Sequence, residues 1–249
     1  MGIRRHIPNT ITSMNLLAGA VGVIFTFRGR PDLAFGCMLL AAVFDFCDGL
    51  AARLLKAYSP IGKELDSLCD MVSFGLLPSL MLVETMQRLG CTAWVCYLPL
   101  FLAVTSALRL AKFNVDDRQE TDFLGVATPT AAIISGALCC YVFVQDGSVL
   151  ARWAALDAFL PAISLVLGLL LVSGIPMFGI KVKPGHRLLD AKRIVFLALS
   201  AVAVVAVLIG RKHLSLALLA IFVLYILENL AIWVWNHGKE KGRKEEDRP

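Results

Sequence analysis

Charged residues are scarce in this sequence: they occupy 17% of its 249 positions, whereas hydrophobic residues occupy 58%. The mean hydropathy of +0.74 is far above that of ordinary soluble domains and excludes that class. No CxxC pair occurs among the seven cysteines, so we interpret them as small buried hydrophobic residues of a reduced protein. The four histidines share no common spacing, which argues against a histidine-based metal site.

Long apolar runs fill most of the chain. They are about 18 to 22 residues long, enough to cross the roughly 30 Å hydrocarbon core of a bilayer as helices. Because the runs are continuous and do not alternate with polar residues, a transmembrane β-barrel is a poor fit. The sequence therefore predicts an all-α integral membrane protein, a polytopic helical bundle of about eight transmembrane helices. The predicted spans are 13–28, 33–56, 65–87, 91–112, 128–145, 153–173, 193–210 and 214–236.

The distribution of Lys and Arg predicts the orientation of these spans. If the N-terminus faces the cytoplasm, 18 of the 24 basic residues lie in cytoplasmic segments and 6 in the opposite ones. The positive-inside rule therefore favours both termini in the cytoplasm, and it accounts for the net charge of +5 without a nucleic-acid partner. We expect a single transmembrane domain over residues 1–238, with the first span retained, and a charged cytoplasmic tail at 239–249.

Four aspartates interrupt the apolar pattern in the stretch FDFCDGLAARLLKAYSPIGKELDSLCDMVSFG, residues 44–75. A carboxylate deep in the bilayer costs roughly 2.5–3.5 kcal/mol on insertion scales, so this group needs compensation. Asp45 and Asp48 are three residues apart on one predicted helix, and Asp66 and Asp70 are four apart on the next. Each pair therefore projects from one helix face, and a hairpin through residues 59–62 would bring both faces to one cytoplasmic pocket.

An all-oxygen pocket of this kind is typical of sites for hard divalent cations. We predict that Asp45, Asp48, Asp66 and Asp70 are metal ligands for Mg²⁺ or Mn²⁺, with Ca²⁺ as an alternative. Zinc is disfavoured because no suitable Cys or His accompanies them. Four carboxylates suit two cations, and paired metals suit in-line displacement at phosphorus.

Small and basic residues near the aspartates each have two interpretations. Gly49 and Ala52 would let a ligand approach the helix backbone, but small residues equally favour helix–helix packing. Arg53 could hold a phosphate through two hydrogen bonds, or lie at the cytoplasmic interface under the positive-inside rule. Gly62 could line the pocket or serve only as a turn glycine.

The joint spacing resembles the signature of the CDP-alcohol phosphotransferases at every fixed position: Asp45-x-x-Asp48-Gly49-x-x-Ala52-Arg53-x₈-Gly62-x₃-Asp66-x₃-Asp70. Further along, the segment DSLCDMVSFGLLP at 66–78 is similar to a block of the bacterial phosphatidylserine synthases. Four other segments resemble that subfamily: IPNTIT at 7–12, NLLAG at 15–19, ALRLAKFN at 107–114 and FLGVATP at 123–129.

The resemblance implies a six-helix family core with extra helices, a homodimer in a bacterial-type cytoplasmic membrane, and transfer of a phosphatidyl group from CDP-diacylglycerol to L-serine. Asp70 would then act as general base on the serine hydroxyl, since a hydroxyl is a poor nucleophile at neutral pH. By the same resemblance the CDP-lipid site would consist of Gly49, Ala52, Arg53 and Gly62. The expected serine-binding residues, which share the cytoplasmic end, are Ser73, Arg109, Lys112 and Asn114.

The sequence is compatible with two alternative functions. A divalent-cation transporter also lines its path with intramembrane carboxylates, but it would spread them along a pore, whereas this chain clusters them. An enzyme of the same family could instead use glycerol 3-phosphate, inositol phosphate or choline as acceptor. A phosphorylated acceptor would need extra basic residues, which Lys181, Lys183 and Arg187 could supply.

Overall fold

The computed structural model describes residues 6–115, 123–177 and 191–246; for residues 123, 191–194 and 236–246 it describes the backbone. Helices dominate this part of the chain. In order they are α1 His6–Phe27, α2 Pro31–Leu54, α3 Pro60–Asp70, a π-helical turn Met71–Leu76, α4 Leu77–Arg88, a 3₁₀ segment Trp94–Leu100, α5 Phe101–Val115, α6 Thr128–Val144, α7 Val149–Ala154, α8 Phe159–Val172, α9 Ala191–Ile209 and α10 Leu214–Glu246.

The predicted polytopic helical bundle is confirmed. Within the described residues, five continuous helical segments are long and apolar enough to cross a membrane: 6–27, 31–54, 60–88, 94–115 and 214–235. Three shorter apolar helices, at 128–144, 159–172 and 195–209, match the remaining predicted spans. Helix α10 extends beyond the last predicted span, 214–236, to Glu246. The basic residues Lys181, Lys183 and Arg187 lie outside the described residues.

The turn between α2 and α3 lies earlier than the sequence predicted. Residues 59–62 were expected to form the hairpin, but Ser59 is the N-cap of α3 and accepts a hydrogen bond from the Gly62 amide. Pro60 occupies the first helical position, which its fixed φ and missing amide hydrogen favour. Gly62 therefore belongs to the first turn of α3, and the chain reverses over residues 55–59, where Lys56 adopts a positive φ of 49°.

The core lies around α6, whose residues are nearly all buried. This helix contacts α2, α4 and α10, so it is surrounded by the others. Met38, Phe74, Leu77 and Leu138 belong to the apolar cluster that fills the space between them. Large apolar side chains on the outer helices remain exposed, for example Phe46 of α2. Such a surface suits lipid contact.

A short antiparallel pair joins two connections of the bundle. Strand β1 (Phe123–Leu124) follows α5, and strand β2 (Pro176–Met177) follows α8. The pairing brings the start of α6 beside the end of α8. The beginning of α1, the end of α2, the start of α3 and the end of α5 lie at this same end of the bundle, because the successive long helices run in alternating directions.

Candidate active site

Three of the four predicted aspartates meet in one group. The carboxylates of Asp45, Asp48 and Asp66 each offer an oxygen, and these atoms all lie within 4.8 Å of one another. Asp45 and Asp48 come from the last turns of α2, and Asp66 from the middle of α3. We name these three residues the carboxylate triplet. The spacing argument from the sequence therefore placed both helix faces correctly, although the turn that joins them is different.

Asp70 lies beside the carboxylate triplet and deeper in the bundle. It follows Asp66 by four residues, a rise of about 6 Å along the helix, and only 8% of it is exposed. Its carboxylate interacts electrostatically with Asp45, Asp66 and Asp48. One of its oxygens, Oδ1, accepts a 3.0 Å hydrogen bond from the side-chain amide of Asn15 on α1.

The triplet has the properties of a cation site. Asp48 Oδ2 and Asp66 Oδ1 are buried and have no hydrogen-bond donor among the described residues. Like charges this close repel each other, and several partly buried carboxylates are stabilised in their ionised form together when positive charge is supplied. Oxygen-only ligand sets are those that Mg²⁺ and Mn²⁺ prefer. The residues present therefore fit a hard divalent cation.

An open cleft adjoins the triplet. It is bounded by the start of α1, the end of α2 and the start of α3. Three of the four residues expected at the CDP-lipid site line it, namely Gly49, Ala52 and Gly62. Arg53 does not line it, and its exposed side chain folds back along α2, where Nε donates a 3.0 Å hydrogen bond to the Gly49 carbonyl.

The two glycines of the cleft differ in their surroundings. A Cβ atom on Gly49 would meet only the Arg53 guanidinium, at 3.7 Å, so no neighbouring helix requires a glycine there. A Cβ on Gly62 would lie 3.0 Å from Ser59 Oγ and 3.1 Å from Asn9 Oδ1. Among the described residues, therefore, no neighbouring helix packs against Gly49 closely enough to require a glycine.

Arg109 is the basic side chain nearest Asp70 among the expected acceptor residues. It is largely buried near the end of α5, where its charge interacts with the Asp70 carboxylate. Its Nη1 donates a 2.8 Å hydrogen bond to Thr128 Oγ1, whereas its buried Nε has no acceptor among the described residues. A buried N–H without a partner is costly, and a bound acceptor would satisfy it.

The other three expected serine-binding residues have different environments. Ser73 is fully buried and donates a 3.0 Å hydrogen bond to the backbone carbonyl of Asn15. Asn114 joins α5 to α3, because its side-chain nitrogen donates to Ser67 Oγ at 3.0 Å and its backbone carbonyl accepts from Lys63 Nζ. Lys112 is exposed. The structure therefore brings Arg109 close to the acidic site and gives Ser73 and Asn114 contacts between helices.

Three polar residues of α1 were not among the predicted site residues. Asn9 and Thr12 line the cleft, with the Thr12 hydroxyl near Asp48, and Asn15 binds Asp70. They occur at intervals of three residues, which places them along one helix face. This spacing, within the segments 7–12 and 15–19 already noted for their resemblance, was the available signal.

Fold and site together define a polytopic membrane protein with a cluster of carboxylates, able to hold a cation, at one end of its bundle. The family model for CDP-alcohol phosphatidyltransferase matches residues 5–172. The chain belongs to that family of enzymes.

Curated relatives carry a more specific name. A protein of Mycobacterium tuberculosis named CDP-diacylglycerol–serine O-phosphatidyltransferase is 32% identical over 210 residues, which cover 80% of this chain and 70% of the relative. Proteins with the same name from Mycobacterium leprae and Bacillus subtilis are 34% and 31% identical. Their alignments cover 69% and 51% of this chain, and 57% and 72% of the respective relatives.

Proposed function

We propose that this protein transfers the phosphatidyl group of CDP-diacylglycerol to L-serine and releases CMP. The observation that carries the proposal is the carboxylate triplet with Asp70 beside it, in a chain whose relatives are named for this reaction. In the reaction, the serine hydroxyl oxygen forms a bond to the phosphatidyl phosphorus. The bond from that phosphorus to the bridging oxygen breaks, and this oxygen leaves with CMP.

Asp45, Asp48 and Asp66 would hold the divalent cation, with Asp70 as a further ligand or neighbour. We propose that the site holds two ions, Mg²⁺ or Mn²⁺, because four carboxylates suit two cations. When bound, such ions offset the negative charge that develops on the diphosphate as CMP departs. The protein contributes a rigid set of ligands from two adjacent helices, which a 3.0 Å capping hydrogen bond between Ser59 and Gly62 helps to fix.

The cleft would bind the cytidine diphosphate part of the donor. Gly49 and Ala52 expose the backbone of α2 to it, and Lys63 adds a positive charge at its edge. Arg53 lies next to this wall and would reach the diphosphate by exchanging its hydrogen bond to the Gly49 carbonyl for a phosphate oxygen. The acyl chains would stay in the bilayer beside the exposed apolar faces of the helices.

Asp70 would accept the proton of the serine hydroxyl as the new bond to phosphorus forms. A positioned base contributes about 10²–10⁴-fold to such a step. Arg109 would bind the serine carboxylate through its free Nε, since Nη1 is already bound to Thr128. A charge-assisted hydrogen bond of this kind suits a carboxylate acceptor. A neutral alcohol without a carboxylate would leave the Nε unpaired.

We also propose that the cleft opens to the cytoplasm and that the enzyme is a homodimer. The excess of Lys and Arg in the segments on that side supports the orientation. Labelling of single introduced cysteines from either side of sealed vesicles tests the orientation, and cross-linking in native membranes tests the dimer.

The test of the activity is an acceptor series with purified protein. CDP-diacylglycerol is supplied with serine, glycerol 3-phosphate, inositol phosphate or choline, and CMP release is measured with and without added Mg²⁺ or Mn²⁺. Among the four acceptors, we expect CMP release with serine and not with the others, and only when Mg²⁺ or Mn²⁺ has been added. Release with another acceptor instead of serine would reassign the substrate. Cation uptake into proteoliposomes without any CMP release would contradict the assignment to a transferase.

A further inference from the structure

The first helix supplies a third wall of the acidic site. Asn9, Thr12 and Asn15 lie on one face of α1, and that face meets α3 and the aspartates. Polar side chains in a membrane helix are unfavourable unless each finds a partner. Asn15 is the deepest of the three, with no exposed surface; its amide nitrogen binds Asp70, and its Oδ1 has no donor among the described residues.

The hydrogen bond between Asn15 and Asp70 has a defined direction. An ionised carboxylate only accepts hydrogen bonds, so the amide nitrogen must be the group that faces it. The nitrogen binds Asp70 Oδ1 at 3.0 Å. This contact occupies Oδ1 and restricts rotation of the carboxyl group, so that Oδ2 would be the oxygen that takes the proton.

Asn15 is itself held in place by the helix that carries Asp70. The Ser73 hydroxyl donates a 3.0 Å hydrogen bond to the backbone carbonyl of Asn15. The helices approach closely here, because a Cβ atom on Gly19 would overlap the Ser73 hydroxyl and lie 2.9 Å from its Cα. Asn15 is therefore connected to the helical stretch Asp70–Ser73 through two separate contacts, one from its side chain and one from its backbone.

The helix changes its winding at this point. The π-helical turn Met71–Leu76 begins directly after Asp70 and contains Ser73. A π-helical turn inside an α-helix is less favourable than regular winding and occurs frequently at functional sites. Here it accompanies the two contacts to Asn15, one from Asp70 before the turn and one from Ser73 within it.

We propose that Asn15 is a positioning residue of the reaction, which acts by holding the Asp70 carboxylate in the orientation needed to take the proton of the acceptor hydroxyl. The inference rests on the proposed function. Without the amide, the carboxyl group rotates away from the reactive orientation. Misplacement of a reacting group by about 1 Å costs on the order of 10²-fold in rate.

The experiment compares Asn15→Asp, Asn15→Leu and the control Thr26→Val in steady-state kinetics with detergent-solubilised full-length protein. Asn15→Asp keeps the shape of the side chain but replaces the donor by an acceptor, and Asn15→Leu keeps much of the volume without polar atoms. Thr26 is buried in the same helix, and its only hydroxyl partner in the described part of the chain is the carbonyl of Gly22 in its own turn. Melting temperature and the fraction of folded protein are measured for each variant.

We expect both Asn15 variants to lower kcat by roughly 30- to 100-fold, with the KM for CDP-diacylglycerol within about 2-fold of wild type. Thr26→Val should keep its kcat. A kcat within about 3-fold of wild type for either Asn15 variant would overturn the inference. A loss of activity that only follows the loss of folded protein, or that appears only in KM, would also overturn it.

The same assay separates this inference from the proposed function. If wild type transfers to another acceptor and not to serine, the proposed substrate is wrong, and the Asn15 variants are then compared with that acceptor. If the Asn15 variants have a 30- to 100-fold lower kcat with that acceptor, the result still supports positioning of Asp70. An unchanged kcat still refutes the inference.

Discussion

Arg109 Nη1 donates a 2.8 Å hydrogen bond to Thr128 Oγ1, which ties the end of α5 to the first turn of α6 beside Asp70. Thr128 is fully buried. The guanidinium therefore approaches the acidic site with one of its nitrogens already bound and with Nε free of an acceptor among the described residues. This partial pairing allows Arg109 to keep a fixed orientation and still bind a carboxylate.

Replacement of Arg109 should weaken serine binding. A hydrogen bond to a charged group contributes about 1.5–3 kcal/mol, so Arg109→Gln should raise the KM for serine by roughly 10- to 100-fold. Thr128→Val should raise it by about 5-fold, because it removes one neutral partner that orients the guanidinium. Kinetics at saturating CDP-diacylglycerol measure both effects. Arg152→Gln, at an exposed position of α7, is the matched control. An unchanged KM for serine in Arg109→Gln would show that Arg109 does not bind serine.

Neutralising one of the aspartates should abolish turnover without unfolding the protein. In Asp66→Asn the triplet loses one ligand charge, and in Asp70→Asn the proposed base cannot accept a proton. We expect both variants to insert into the membrane and to lose at least about 100-fold of the rate. CMP release measures turnover, and a Mn²⁺ titration of purified protein measures metal binding. Weaker Mn²⁺ binding is expected above all for Asp66→Asn. Normal turnover in either variant would contradict the carboxylate scheme.

Gly49→Ala should lower activity without lowering stability. The added methyl group would lie in the cleft, 3.7 Å from the Arg53 guanidinium, which is an ordinary contact. Alanine is favoured over glycine in a helix by about 1 kcal/mol, so the melting temperature should stay equal or rise. The KM for CDP-diacylglycerol should rise because the methyl group occupies space next to the backbone. Gly36→Ala, also in α2 and with nothing within 4 Å, should gain the same stability and keep wild-type kinetics. Identical kinetics for the two variants would mean that Gly49 does not contact the donor.

The sequence predicted that four aspartates meet, and three of them form the triplet, because helical spacing places residues three and four apart on one face whatever turn joins the helices. For the same reason the displaced turn at 55–59 did not disturb the site. The contacts of Ser73 and Asn15 were beyond sequence reasoning, since they depend on how closely α1 approaches the π-helical turn. Asn114 was predicted near the acceptor, but its cross-link to Ser67 depends on the angle between α3 and α5, which no periodicity determines.

Gly29→Ala should destabilise the end of the bundle opposite the active site. Gly29 has a φ of +73°, a region that costs other residues about 1–2 kcal/mol. A Cβ atom there would overlap the guanidinium of Arg88, whose Nη1 donates a 2.9 Å hydrogen bond to the Gly29 carbonyl while Glu84 binds its Nε. With the hydrogen bond displaced as well, the total loss should be about 2–4 kcal/mol.

Gly90→Ala separates the two causes of this loss, because Gly90 has a φ of +96° but nothing within 4 Å of its Cβ position. It should therefore cost only the backbone term of about 1–2 kcal/mol. Thermal unfolding in detergent measures both variants, and CMP release per folded molecule should remain at the wild-type level, since Gly29 and Arg88 lie at the far end of α1 and α4. If Gly29→Ala were no more harmful than Gly90→Ala, the contact with Arg88 would contribute nothing to stability. The turn between α1 and α2 would then be stabilised by its backbone alone.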